Sequence, residues 1–177
     1  TTMGFTPLDG LMMGTRAGAI DPGVLLYLQQ QGMSLKDLQH MLYQESGLLG
    51  VSGLSADMRV LLDSNDPRAA EAIELFTFRV ASEVAAMAST LGSLECLVFT
   101  GGIGENAVPI REAVMQGAQW LGLQGDAEAN RQVSAGRISR DGSAMQAWVL
   151  RTNEEAVIAG HTARVAALDE LFGGNVK

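Results

Sequence analysis

The sequence predicts an α/β fold, helix-rich with a small sheet, on three observations. An apolar run, Leu94–Phe99, stops at Thr100 and opens into Gly101-Gly102-Ile103-Gly104 ahead of a helix from about Pro109. Short apolar runs rich in β-formers and bounded by glycine read as buried strands. Asp66-Pro67 introduces a long Ala- and Glu-rich stretch that meets no glycine before Gly92, the pattern of one continuous helix. Residues 136–139 and 146–150 flank Arg140-Asp141-Gly142, a turn signal that predicts a small antiparallel pair with Trp148 packed on the sheet.

The elements follow in chain order. Residues 3–23 hold five glycines, two prolines and a lone cation, Arg16, which is too broken for a long helix. Arg16 can offer its planar fork to a carboxylate or phosphoryl group, or pair structurally with Asp21. Asp21-Pro22 starts a helix with Val24, Leu25, Leu26 and Leu28 as its apolar face, ended by Gly32. Ser34 caps the next, where Leu35, Leu38, Met41 and Leu42 recur at helical spacing up to Gly47. Its His40 reads as a partly exposed residue, because no nucleophile with an orienting carboxylate accompanies it.

Residues 47–59 read as a second glycine-punctuated loop, with Ser55 as a helix N-cap. Asp57 then either suits the helix dipole or accepts from ribose hydroxyls, and Arg59 offers a flat face or a donor to a base. In the long helix, Ile73, Phe76, Phe78, Val80, Val84 and Met87 are assigned to packing. After the glycine stretch the sequence predicts helix over 109–120 and 127–133. Arg151-Thr152-Asn153-Glu154-Glu155 precedes a last helix to about Leu171, with His161 facing solvent and residues 173–177 frayed.

Two stretches carry chemistry. Glycines between a strand and a helix let the backbone approach a ligand, and the free N–H groups of the next helix favour an anion, which predicts a nucleotide site. The rival is a dinucleotide fingerprint, Gly102-Ile-Gly104-Glu-Asn-Ala107, with Asp126 about 20 residues on as the ribose acid. At Arg151–Glu155 the paired acids favour a helix start, but carboxylates at such a junction also hold Mg²⁺.

Composition narrows the class. The chain has 177 residues, 47% hydrophobic, enough for one domain or a piece of a larger one. A net charge of −8 with only two lysines, Lys36 and Lys177, argues against nucleic acid and anionic membranes. Neither a membrane-length apolar run nor a signal-peptide layout is present in these residues, which predicts a cytoplasmic protein. Cys96, the single cysteine, is expected to be a small buried hydrophobe. Thr1 runs directly into motif-dense sequence without an initiator methionine, so a fragment is expected.

Four stretches in register, MGFTPLDGLMMGTRAGAIDP, SGLLGVSGLSADMR, LVFTGGIGEN and RTNEE, closely resemble the C-terminal part of acetate kinase and its propionate and butyrate relatives, from Thr1 to about Leu168. The resemblance implies part of a ribonuclease H-like, actin-like ATPase lobe over residues 1–172. It implies ATP/ADP and Mg²⁺ as cofactors, a short-chain carboxylate and acyl phosphate as partners, and a homodimer paired through this lobe. Arg16 matches the family's arginine at the phosphoryl group in flight. Asp57, Met58 and Arg59 match its nucleotide-contacting triplet, and Gly102, Ile103, Gly104, Glu105 and Asn106 its adenosine loop. Glu154 matches the magnesium-linked carboxylate, with Glu155 alongside leaving the place uncertain by one. Ala17 and Ala19 depart from the family's commoner polar pair beside the arginine. The family's N-terminal lobe has no counterpart here, so these residues alone are expected to transfer no phosphate: the resemblance implies the C-terminal portion of a kinase that forms an acyl phosphate and ADP from a short carboxylate and ATP, with a catalytically silent nucleotide-binding or dimerisation piece as the alternative.

Overall fold

The computed structural model describes residues 1–166. The expected end of the last helix near Leu171, the frayed residues 173–177 and the lobe boundary at 172 lie outside that range. The helices are α1 (Pro22–Gln30), α2 (Leu35–Gln44), α3 (Gly47–Ser52), α4 (Met58–Leu62), α5 (Pro67–Leu91), α6 (Gly101–Asn106), α7 (Val108–Gly117), α8 (Ala127–Gln132) and α9 (Glu154–Val165). The strands are β1 (Cys96–Phe99), β2 (Gly136–Arg137) and β3 (Gln146–Val149). This is the predicted class, helix-rich with a small sheet.

Side-chain caps fix most helix starts. Asp21, Ser34, Asp57, Asp66, Asp126 and Asn153 each accept from a backbone N–H in the first turn, which satisfies donors the helix itself cannot. Proline follows at once in α1 and α5, where its missing N–H costs nothing. Gly92 closes α5 at φ 78°, a left-handed turn that a β-carbon would oppose.

The sheet is mixed, in the order β1-β3-β2. β1 pairs β3 in parallel with Cys96 opposite Gln146 and Phe99 opposite Val149. β3 pairs β2 antiparallel, as the turn at 140–142 predicts. One face of this sheet and α7 bury Phe99, Ile110, Val114, Met115, Ile138, Met145 and Val149, and the core continues through Leu48, Leu61, Ala69 and Ala72. α5 contributes through small residues: Ala69 and Ala72 are fully buried, so α3, α4 and α7 pack close to its backbone.

Several expectations are corrected. Residues 47–59 are not one loop: α3 occupies 47–52 and α4 begins at Met58, and Asp57, not Ser55, caps α4, while the Ser55 hydroxyl accepts from Asp57 N–H at 3.0 Å. The stretch after β1 is helical, as α6, and the helix predicted over 109–120 ends at Gly117 before a short 3-10 turn, Gln119–Leu121. β1 is an edge strand with only one covered face, so Cys96 is exposed rather than buried and Val98 is 44% exposed. Phe78 and Met87 point to solvent from α5. No residue of α1 is buried, and Val24 and Leu26 of its apolar face are exposed because nothing described here covers it.

Candidate functional site

Two motifs distant in sequence meet across one crevice. Asp57, Met58 and Arg59 line it from the start of α4, and Gly102, Ile103 and Asn106 line it from α6, with Ala56, Leu62 and Ala107 completing the wall. Its volume is about 860 Å³, within the range of small-molecule sites, which are concave, mostly apolar and carry a few polar groups. Met58, 4% exposed, and half-buried Ile103 give it an apolar floor. At the rim Arg59 Nε donates to Asp57 Oδ1 at 3.1 Å and its Nη2 lies 2.5 Å from Asp57 Oδ2. Hydrogen bonds from the Arg59 side chain and backbone N–H hold the Asp57 carboxyl at about 2, so it stays a charged acceptor. Asn106 Nδ2 donates back to the Gly102 carbonyl at 2.9 Å, which sets the amide on the exposed side of α6.

A second concavity, about 490 Å³, adjoins the first at Gly102 and brings Gly101 and Glu105 against Thr152, Asn153, Glu154 and Glu155. Glu105 Oε1 is the joint: it accepts from Gly101 N–H at 3.0 Å, Thr152 N–H at 2.9 Å and Thr152 Oγ1 at 3.0 Å. The two Thr152 bonds, ahead of the Gly101 bond, keep this carboxyl below its ordinary range. Glu105 thus ties the turn after β1 to the turn after β3, in addition to any ligand contact. Glu154 and Glu155 stand exposed in the first turn of α9 behind the Asn153 cap. Among the described residues no three His, Cys, Asp or Glu side chains gather as a metal-holding group.

Arg16 lines neither concavity described above. Among the described residues its side chain donates only from Nη1 to Met13 Sδ, at 3.6 Å, a weak acceptor. The loop carrying it is nevertheless anchored beside the crevice: a β-carbon on Gly14 would sit 2.9 Å from the carbonyl of Ala56, the residue before Asp57. Gly104 does not face the crevice either. A β-carbon there would lie 3.2 Å from the Phe99 carbonyl carbon, so glycine lets α6 lie against the end of β1.

Sequence reasoning missed Arg111. Only 1% exposed, it donates from Nη1 to the carbonyls of Gly104 (3.1 Å) and Glu105 (2.8 Å). Nε and Nη2 reach Asn130 Oδ1 and O, both at 2.7 Å. It clamps the C-terminal end of α6, where helix carbonyls lack partners, to α8. The signal was available: an arginine between Ile110 and Val114 on an otherwise apolar helix face needs a buried polar partner.

The profile of the acetokinase family matches residues 1–160. The chain belongs to the acetokinase family. It is 55% identical over 168 residues to an acetate kinase of Rhodopseudomonas palustris (strain TIE-1), covering 94% of this chain and 42% of that protein. Its structure is similar to that of Porphyromonas gingivalis acetate kinase, with a TM-score of 0.86, 36% identity and coverage of 93% of this chain and 43% of that one. A propionate kinase from Francisella tularensis superposes with a TM-score of 0.81 at 42% identity, over 87% of this chain and 40% of that one. The chain spans about two fifths of the length of the relatives it matches. Acetokinase membership also settles the rival dinucleotide reading. Asp126, which that reading needs at a ribose, instead caps α8 by accepting from Glu128 and Ala129 N–H, both at 3.0 Å.

Proposed function

We propose that this chain forms the nucleotide-gripping part of a kinase that moves the terminal phosphoryl group of ATP directly, in line, onto a short-chain carboxylate such as acetate or propionate, giving an acyl phosphate and ADP. The observation that carries the proposal is the single crevice in which Asp57, Met58 and Arg59 face Gly102, Ile103 and Asn106. A base fits between Met58 and Ile103, the Asp57 carboxylate accepts from ribose hydroxyls, and the Arg59 guanidinium, 86% exposed, covers or donates to the base. Gly104 and Glu105 serve by holding the shape of α6.

Transfer between two anions rests on positioning and charge neutralisation. Arg16 supplies positive charge in this reading: among the described residues its guanidinium makes one weak bond, to Met13, and its loop abuts Ala56 at the crevice wall. The oxygen-only donors at Glu154 and Glu155 fit Mg²⁺, which keeps most of its waters and takes one or two carboxylates beside substrate phosphates. Glu154 is assigned as that carboxylate, with Glu155 adjacent. Bound there, the metal would offset phosphate charge. Pairing of two copies through this lobe and a cytoplasmic location, where ATP is supplied, belong to the same reading.

With Arg16 alone among the proposed catalytic groups, these residues are expected to hold nucleotide without transferring phosphate. Titrating a fluorescent ATP analogue should give saturable binding by the chain and weaker binding by Asn106→Ala. No binding by either would refute the nucleotide reading, and acyl phosphate formed by this chain alone would refute its catalytic silence.

A further inference from the structure

A third concavity, about 410 Å³, carries three arginines on its wall, Arg111, Arg131 and Arg151, with Ser134, Thr152 and Glu105. Three of the twelve Lys and Arg residues of an acidic chain therefore meet in one place. It shares only Asn106 with the crevice at Asp57–Arg59.

The charges on this wall do not balance. Arg111 is buried, yet all four of its hydrogen bonds go to neutral oxygens, and among the described residues no carboxylate pairs with it. A buried cation without a counter-charge is costly, and its burial pushes the guanidinium down from its usual range. Arg131 meets Glu128 at 3.2 Å in an exposed pair that little energy holds together, so its guanidinium is free to turn. Arg151 is exposed. The one acid on the wall, Glu105, has Oε1 committed to Gly101 and Thr152. With Glu128 paired to Arg131 at the rim, three cations face two carboxylates, a surplus of one positive charge.

We propose that this concavity binds a small oxyanion of the phosphate type. Arg131 and Arg151 would grip it from the rim through forked N–H donors, which match tetrahedral oxyanions, and it would supply the counter-charge Arg111 lacks. Because Arg111 holds the Gly104 and Glu105 carbonyls, an anion here would also steady α6. The concavity adjoins the nucleotide crevice at Asn106 and the Glu154 concavity at Glu105 and Thr152, but Arg131 and Arg151 line neither, so the proposal does not need the nucleotide reading.

Isothermal titration of the full chain with inorganic phosphate at fixed ionic strength tests this, with a simple phosphomonoester, glycerol phosphate, in parallel. Saturable one-site binding is expected, for one or both probes, about tenfold weaker in Arg131→Ala and in Arg151→Ala, the loss of one charge-assisted contact. Both side chains are exposed, so the variants should melt like the parent. Arg59→Ala should leave phosphate affinity unchanged. The better-bound probe identifies the source, free phosphate or a phosphate ester. Absence of saturable binding, affinity equal to the parent's in both rim variants, or loss in Arg59→Ala alone would overturn the proposal. Loss of ATP-analogue binding with phosphate binding intact would strike only the nucleotide reading.

Discussion

Asp57-Met58-Arg59 and Asp66-Pro67-Arg68 are one local device built twice, nine residues apart. In each, the aspartate caps a helix by accepting from the arginine's backbone N–H at 2.9 Å, and the arginine Nε returns to Oδ1 at 3.1 Å. Each carboxyl is held at about 2, chiefly by its arginine side chain. Nothing local separates them. What differs is what lies opposite. The first faces α6 across the crevice, whereas the second opens α5, whose first turns vanish into the core at Ala69 and Ala72. Capping explains both pairs, and long-range placement decides which of them meets a ligand.

The largest way to break this contrast is to release α6. Arg111→Met removes the donors to Gly104, Glu105 and Asn130 and takes a partner from two buried and two part-buried acceptors. Relief of the buried charge offsets part of that cost, so a net loss of about 3 kcal/mol is expected in urea denaturation. ATP-analogue binding should weaken with it. Arg111→Lys keeps the charge but not the fork and should recover only part of either quantity. Unchanged stability and affinity in both variants would show that α6 holds its place without the clamp.

A sharper test leaves the fold alone. Arg59→Ala should lower ATP-analogue affinity about tenfold, as expected for one lost contact to a charged group, while Arg68→Ala should not change it. Equal effects, or none from Arg59, would mean that the first pair is also only a cap. Direct titration of the two variants decides it.

How much of this was legible in sequence follows the same division. Every signal whose physics is local was readable: Asp21, Ser34, Asp66 and Gly92 mark helix ends by side-chain chemistry that acts within a turn. The antiparallel pair around Gly142 is of the same kind. Errors arose where tertiary contacts override local preference. Gly47 and Gly50 read as loop, but residues 47–52 form α3, where Gly47 lies so near Met13 O and Arg16 O that a side chain could not fit. Cys96 read as buried because its run is apolar, yet its strand lies at a sheet edge. At the site, the second and third motifs could be guessed to meet and do line one crevice. The Glu105–Thr152 tie spans 47 residues and the Arg111–Asn130 clamp 19, and no periodicity reports such pairs. Arg16, matched to the family's arginine at the phosphoryl group, does not line that crevice; its loop, through Gly14, touches that wall.

The smallest expected effect is the most discriminating. Both aspartates have folded-state values depressed from 3.8 to about 2, so each contributes stability that is present above about pH 4 and lost as pH falls through about 2. Both pairs are exposed and screened by salt, so the contribution is small. Because the arginine side chain is the leading cause in each case, Arg59→Ala and Arg68→Ala should flatten the acid limb of the denaturation profile by the same amount. Chemical denaturation at pH 5 and pH 2, at low salt, compares them. Equal flattening combined with unequal nucleotide affinity separates a shared capping role from a binding role held by one pair. If Arg59→Ala flattened the limb much more than Arg68→Ala, the Asp57 carboxylate would have a partner beyond Arg59, and the equivalence from which the comparison starts would be lost.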